Sequence, residues 1–118
     1  DVVSLHCPLT ENNYHMIAEK EMAIMKPNAI LINAARGGLV DENALLTALQ
    51  TNQIGAAGLD VLAEEPPSPD NPLINYRADN LIITPHVAWA SQQSRQKLIN
   101  EIAENIKAYL QGQSRNAV

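Results

Sequence analysis

Apolar residues along this chain come in short runs separated by polar breaks, and the period of the runs alternates. Val2-Val3-Ser4-Leu5 is largely β-branched and apolar, ends before Pro8, and predicts a strand. A polar loop follows from Thr10 to Tyr14. Met16, Ile17, Met22 and Met25 are spaced for a short helix over about 19–25, which Lys26-Pro27-Asn28 stops with a cation at its negative end. Residues 29–33 predict a second strand, and Arg36-Gly37-Gly38 a turn. Asp41 then caps a helix to about Gln50, with Glu42 complementing its dipole. Asn52 and Gly55 break the chain before a third strand over 56–62. Pro66, Pro67, Pro69 and Pro72 make the next stretch an ordered or semi-rigid loop. Leu81, Ile82 and Ile83 predict a fourth strand, closed by Thr84-Pro85. Ser91 caps a long helix to about Leu110, whose Leu98, Ile99, Ile102, Ala103, Ile106, Tyr109 and Leu110 form one apolar stripe. This alternation predicts an α/β fold with a mostly parallel sheet.

Composition narrows the function classes. At 118 residues the chain is at most one domain. Its formal net charge of −5 argues against a nucleic-acid partner, since phosphate binding wants a basic face. No apolar run approaches the roughly 20 residues a membrane helix needs. Cys7 is the single cysteine, so no internal disulfide forms and a reducing, cytoplasmic compartment is expected. With no Phe, the core must be largely aliphatic. The chain opens at Asp1, at the start of a strand and without a basic leader, so we expect the carboxyl-terminal piece of a longer protein. A processed small protein is the alternative.

Three residues lie just beyond apolar runs: Arg36, Glu65 and His86. If those runs are parallel strands, a cation, a carboxylate and an imidazole reach one edge of one sheet, where ligands bind in open α/β folds. Arg can grip a carboxylate with two parallel bonds. His can move a proton near neutral pH, and a carboxylate can orient it. Plainer readings stand beside these: a turn arginine reaching solvent, a solvated acidic pair Glu64-Glu65, and a structural histidine. Asp60, an acid within apolar surroundings, needs a dedicated partner, either a ligand amide or a backbone or structural donor. His6-Cys7 with His15 matches no common zinc spacing. Gly37-Gly38 is no phosphate loop, because neither G-x-G-x-x-G nor a P-loop occurs.

Taken together, Leu5-His6-Cys7-Pro8-Leu9-Thr10, Met25-Lys26-Pro27-Asn28-Ala29-Ile30-Leu31-Ile32-Asn33, Ala34-Ala35-Arg36-Gly37, Val40-Asp41-Glu42, Gly58-Leu59-Asp60-Val61, Glu65-Pro66 and Thr84-Pro85-His86 resemble the NAD-dependent D-isomer-specific 2-hydroxyacid dehydrogenases. Each motif is weak alone, and their ordered combination from Val2 to about Leu110 is specific. The segment Val87-Ala88-Trp89-Ala90-Ser91 looks like the glycerate dehydrogenase (hydroxypyruvate reductase) branch.

The resemblance implies the second half of a Rossmann-type NAD-binding domain over 1–90, a terminal helix over 91–111 packing toward a missing substrate domain, and a frayed tail over 112–118. It implies that Arg36 binds the substrate carboxylate, that His86 exchanges the hydroxyl proton, and that Glu65 holds and stabilises the imidazolium. Cys7, Pro8, Asn13, Ala34, Ala35, Arg36, Asp60, His86 and Ala88 would line the cofactor, NAD with NADP not excluded. The implied reaction is hydride transfer between nicotinamide and a small 2-hydroxy or 2-oxo acid, in a parent that is a homodimer. The dinucleotide-phosphate loop is not in this stretch, so the isolated chain is expected to be inactive. A non-catalytic NAD-sensing or interaction module of the same fold is the competing reading.

Overall fold

The β-branched and aliphatic runs pair side by side. In the computed structural model, which describes residues 1–117, β1 (Val2–Leu5), β2 (Ile30–Asn33), β3 (Ala56–Leu59) and β4 (Leu81–Ile83) form one parallel sheet in the order β1-β2-β3-β4. The crossovers carry α1 (Glu19–Ala23), α2 (Glu42–Gln50) and α3 (Pro72–Asn75). Met22 from α1, Leu45 and Leu49 from α2 and Leu73 from α3 share one buried cluster with Leu5, Leu31 and Leu59 of the sheet. All three helices therefore cover the same face. On the other face Val2, Ile30, Ile32 and Ile82 are exposed, although parallel sheets are ordinarily covered on both sides. The chain divides into two compact units, Asp1–His86 and Val87–Val118. The second holds α4 (Gln92–Leu110), capped by the Ser91 hydroxyl, which accepts from the Ser94 amide.

Strand β3 stops at Leu59, three residues short of the expected 56–62, so Asp60 follows the strand instead of lying within it. The regular ladder ends there because the His86 amide turns to the Asp60 carbonyl, one residue short of the Val61 carbonyl that would continue the register. Val61 and Leu62 are apolar because the loop they start is buried, at 3% and 7% exposure. Helix α1 also ends early, at Ala23, where the Met25 amide turns tightly back to the Met22 carbonyl. The loop after Thr10 contains a single 3-10 turn, Glu11–Asn13, closed by the Asn13 side chain on the Thr10 amide. A second such turn, Gly37–Leu39, follows Arg36. The proline-rich loop ends in α3, whose cap Asn71 accepts from the Leu73 and Ile74 amides, with Pro72 at the first helical position. The apolar stripe of α4 is exposed from Leu98 to Leu110, and only Ala108 of this helix is buried.

Gly37 is the point of closest approach in the first unit. A Cβ on it would overlap the Leu62 carbonyl and the Ala63 nitrogen. Gly37→Ala is therefore expected to destabilise the fold by roughly 1–3 kcal/mol or more, the usual cost of overpacking. Urea unfolding of the purified chain, read as the transition midpoint, checks this.

Candidate active site

One row of the ladder, Leu5–Asn33–Leu59–Ile83, ends all four strands together. The loops that leave the strands therefore gather along one edge. After β2, the buried Asn33 closes a turn: its amide nitrogen donates to the Arg36 carbonyl (2.9 Å) and its oxygen accepts from the Ala35 amide (3.1 Å). Arg36 leads out of that turn, with Nη1 donating to the Ala35 carbonyl (2.6 Å). The adjacent Gly37 allows the turn to lie against Leu62 and Ala63, where the loop bearing Glu65 begins.

After β3, Asp60 is 7% exposed. One of its partners is structural: the Thr84 hydroxyl donates to Oδ1 at 2.5 Å. The Asp60 carbonyl accepts from the His86 amide at 2.9 Å, tying the ends of β3 and β4 together. His86 adopts a φ of 53°, in the left-handed region that few residues other than glycine enter, although His does so more readily than most. Its amide also donates to the Thr84 carbonyl (3.0 Å), so two acceptors hold this conformation.

His86 Nδ1 and Glu65 Oε2 are 2.8 Å apart, and Glu65 Oε1 accepts from the Leu62 amide at 3.0 Å. A carboxylate only accepts, so Nδ1 carries the hydrogen here and Nε2 is the ring nitrogen able to exchange a proton with a ligand. The pair is partly open, at 44% and 37% side-chain exposure. The bond from the imidazole, and next that from the Leu62 amide, hold the Glu65 carboxyl below the usual carboxylate range, against opposing desolvation and the charge of Asp60.

Arg36, Glu65 and His86 line one small cavity of about 190 Å³ together with Gly37 and Gly38. The same pair also borders a larger cavity of about 580 Å³ that includes Asp60, Thr84, Leu73 and Tyr76. Cys7, Pro8, Ala34, Ala35 and Arg36 line a third, of about 350 Å³, beyond β1 and β2. Asn13 supports it by donating to the Pro8 carbonyl at 2.8 Å. Ala88 lies in the second unit. His15 Nδ1 is 3.6 Å from Asp41, and His6 Nε2 bonds the Ser4 hydroxyl.

Three residues that sequence reasoning passed over shape this edge. Asn33 read as the end of a strand, Thr84 as a strand terminator and Glu42 as a helix-dipole residue. An amide or hydroxyl at the carboxyl end of an apolar strand was the available signal for the first two. Nothing local marked the third.

Residues 1–88 match the family model described as "D-isomer specific 2-hydroxyacid dehydrogenase, NAD binding domain". The whole chain is 50% identical to a glycerate dehydrogenase of Methylorubrum extorquens, over 118 residues and 38% of that protein. It is 46% identical over 113 residues to a glyoxylate reductase of Korarchaeum cryptofilum, which is 96% of this chain and 33% of that one. Among solved structures, a D-lactate dehydrogenase with NAD+ from Lactobacillus jensenii superposes with a TM-score of 0.81 at 39% identity, over 100% of this chain and 39% of the other. The chain thus spans little more than a third of the length of the proteins it matches.

The depressed Glu65 carboxyl has a pH signature. A group whose pKa is lowered by folding adds stability above its unfolded value and loses it as pH falls through the folded one. Glu65→Gln should therefore weaken the fold near neutral pH and leave it unchanged once the carboxyl is protonated. The two curves of urea midpoint against pH should converge on the acid side.

Proposed function

Because the chain belongs to the D-isomer specific 2-hydroxyacid dehydrogenase family, through its NAD-binding domain, we propose that it supplies the catalytic edge of an NAD(P)-dependent oxidoreductase acting on the CH–OH group of a D-2-hydroxy acid. The observation that carries this reading is the cavity that joins Arg36, Glu65 and His86 at the ends of β2, β3 and β4. Its contents match the demands of a small 2-oxo acid: a forked cation for the carboxylate, and an imidazole with a carboxylate behind it for the proton.

The residues present fit a dinucleotide's nicotinamide end. Ala34 and Ala35 leave the cavity beside Cys7 and Pro8 open. Asp60 places a carboxylate, held by the Thr84 hydroxyl, at the same strand edge. When bound, the nicotinamide accepts or supplies the hydride, which is the cofactor's own chemistry. Arg36 grips the substrate carboxylate and fixes which face of the 2-oxo group is presented. His86 Nε2 takes the hydroxyl proton in oxidation and returns it in reduction. Glu65 keeps the proton on Nδ1 and stabilises the imidazolium.

Two things support D-glycerate/hydroxypyruvate or glyoxylate as the substrate: the names of the relatives and the Val87-Ala88-Trp89-Ala90-Ser91 segment. On this reading residues 1–90 form a partial NAD domain, and the exposed stripe of α4 packs toward a substrate domain outside this stretch. The parent works as a homodimer in the cytoplasm. The 118 residues alone, without a phosphate-binding glycine loop, do not turn over.

The test is the full-length parent assayed with NADH and NADPH against hydroxypyruvate and glyoxylate. Activity with either acid is expected, and none from the purified 118-residue chain. A parent inert toward every 2-oxo acid would overturn the enzymatic reading in favour of a non-catalytic module. In an active parent, His86→Asn should cost about 10²–10⁴-fold in kcat, the usual share of a general acid–base. Arg36→Lys should lower kcat/KM on the order of 10–100-fold, since one charge-assisted bond is worth about 1.5–3 kcal/mol. Glu65→Gln should move the pH optimum for reduction downward, because a neutral amide stabilises the cationic ring less; an unchanged profile would count against that pairing.

A further inference from the structure

Glu42 opens α2, where a carboxylate suits the helix dipole, yet both of its oxygens are committed elsewhere. Oε1 accepts from the Ala63 amide at 2.7 Å, and Oε2 accepts from the Asn71 side-chain nitrogen at 2.8 Å. These two partners bracket the loop that carries Glu65. Between them, Glu65 reaches the Leu62 amide with one oxygen and His86 with the other.

The chemistry at position 42 is restrictive. The Ala63 amide can only donate. The Asn71 oxygen already accepts from the Leu73 and Ile74 amides as the cap of α3, so Asn71 must present its NH₂ to Glu42. Two donors require an acceptor-only side chain. Gln would offer one oxygen and one NH₂, setting a donor against a donor. Asp would be one methylene short of a reach that spans both ends of the loop.

We infer that Glu42 is a positioning residue: it clamps the loop from Ala63 to Asn71 onto the first turn of α2 and so fixes where the Glu65 carboxylate meets His86. It touches neither substrate nor cofactor, and its catalytic consequence rests on the acid–base reading of that pair. Loss of the clamp leaves Glu65 on a loop free to drift from both of its donors.

The Glu65 carboxyl reports directly on this in the 118-residue chain, by carbon-13 NMR titration with the resonance assigned through its loss in Glu65→Gln. Three further variants complete the experiment: His86→Phe, Glu42→Ala and Glu42→Gln. His86→Phe should raise the Glu65 midpoint, since the largest cause of its depression is removed. If the clamp positions Glu65, both Glu42 variants should raise it as well. Removal of a nearby negative charge acts in the opposite direction and would lower it, so the sign separates positioning from simple electrostatics. A dispersed amide spectrum verifies folding, and if Glu42→Ala does not fold, the same-sized Glu42→Gln decides. A Glu65 midpoint that moves in His86→Phe but stays or falls in the folded Glu42 variants overturns the clamp and leaves the pair standing. A midpoint unmoved by His86→Phe overturns the pairing itself, and the clamp with it.

Discussion

The parallel register of the sheet is the constraint on which the site depends. Leu5, Asn33, Leu59 and Ile83 occupy one row and end their strands together. Side chains a few residues beyond that row must then meet, whatever the distance between them in the chain. A one-residue slip of any strand would exchange its buried and exposed faces. For β2 that would turn Leu31 and Asn33 out of the interior and bring Ile30 and Ile32 in. The aliphatic core therefore locks the register, and the register places the chemistry.

The edge is held largely by hydrogen bonds to backbone. Asn33 closes the turn before Arg36, the His86 amide on the Asp60 carbonyl ties the ends of β3 and β4, and the Leu62 amide donates to one oxygen of Glu65. Such bonds preorganise a site because backbone groups move only with the fold. The arrangement also stays accessible: His86 and Glu65 are partly exposed, while Asp60, which holds the His86 amide, and Asn33, which holds the Arg36 turn, are buried. Gly37 completes the design by allowing two backbone segments to touch where any side chain would separate them.

The apolar surface left open has the same origin as the site. A parallel sheet with helices on one face leaves the alternate residues of its strands, Ile30, Ile32 and Ile82, without cover. The α4 stripe, with Leu98 and Ile99 at 54% and 60% exposure, is a further apolar face. Faces of this kind mark interfaces, which accords with a chain that spans little more than a third of the length of its relatives.

The sequence by itself determined the four strands, the parallel α/β class, the caps at Asp41 and Ser91, and the family, because periodicity, capping chemistry and ordered motifs are local signals. It placed Arg36, Glu65 and His86 beyond apolar runs, and that was enough to bring them to one edge. Where β3 ends was not legible, because Val61 and Leu62 are as apolar as the strand and only the out-of-register bond from the His86 amide to the Asp60 carbonyl shows that the ladder has stopped. The α3 helix was hidden among prolines that read as loop. Asp60's structural partner was undetermined too: Thr84 lies 24 residues away, and only strand pairing brings the two together. Glu42 needed the tertiary structure most. Its partners are 21 and 29 residues distant, and a carboxylate at the start of a helix already has a sufficient local explanation. Propensity and pattern act over a few residues, whereas a clamp between a helix and a loop exists only once the sheet has brought both to the same place.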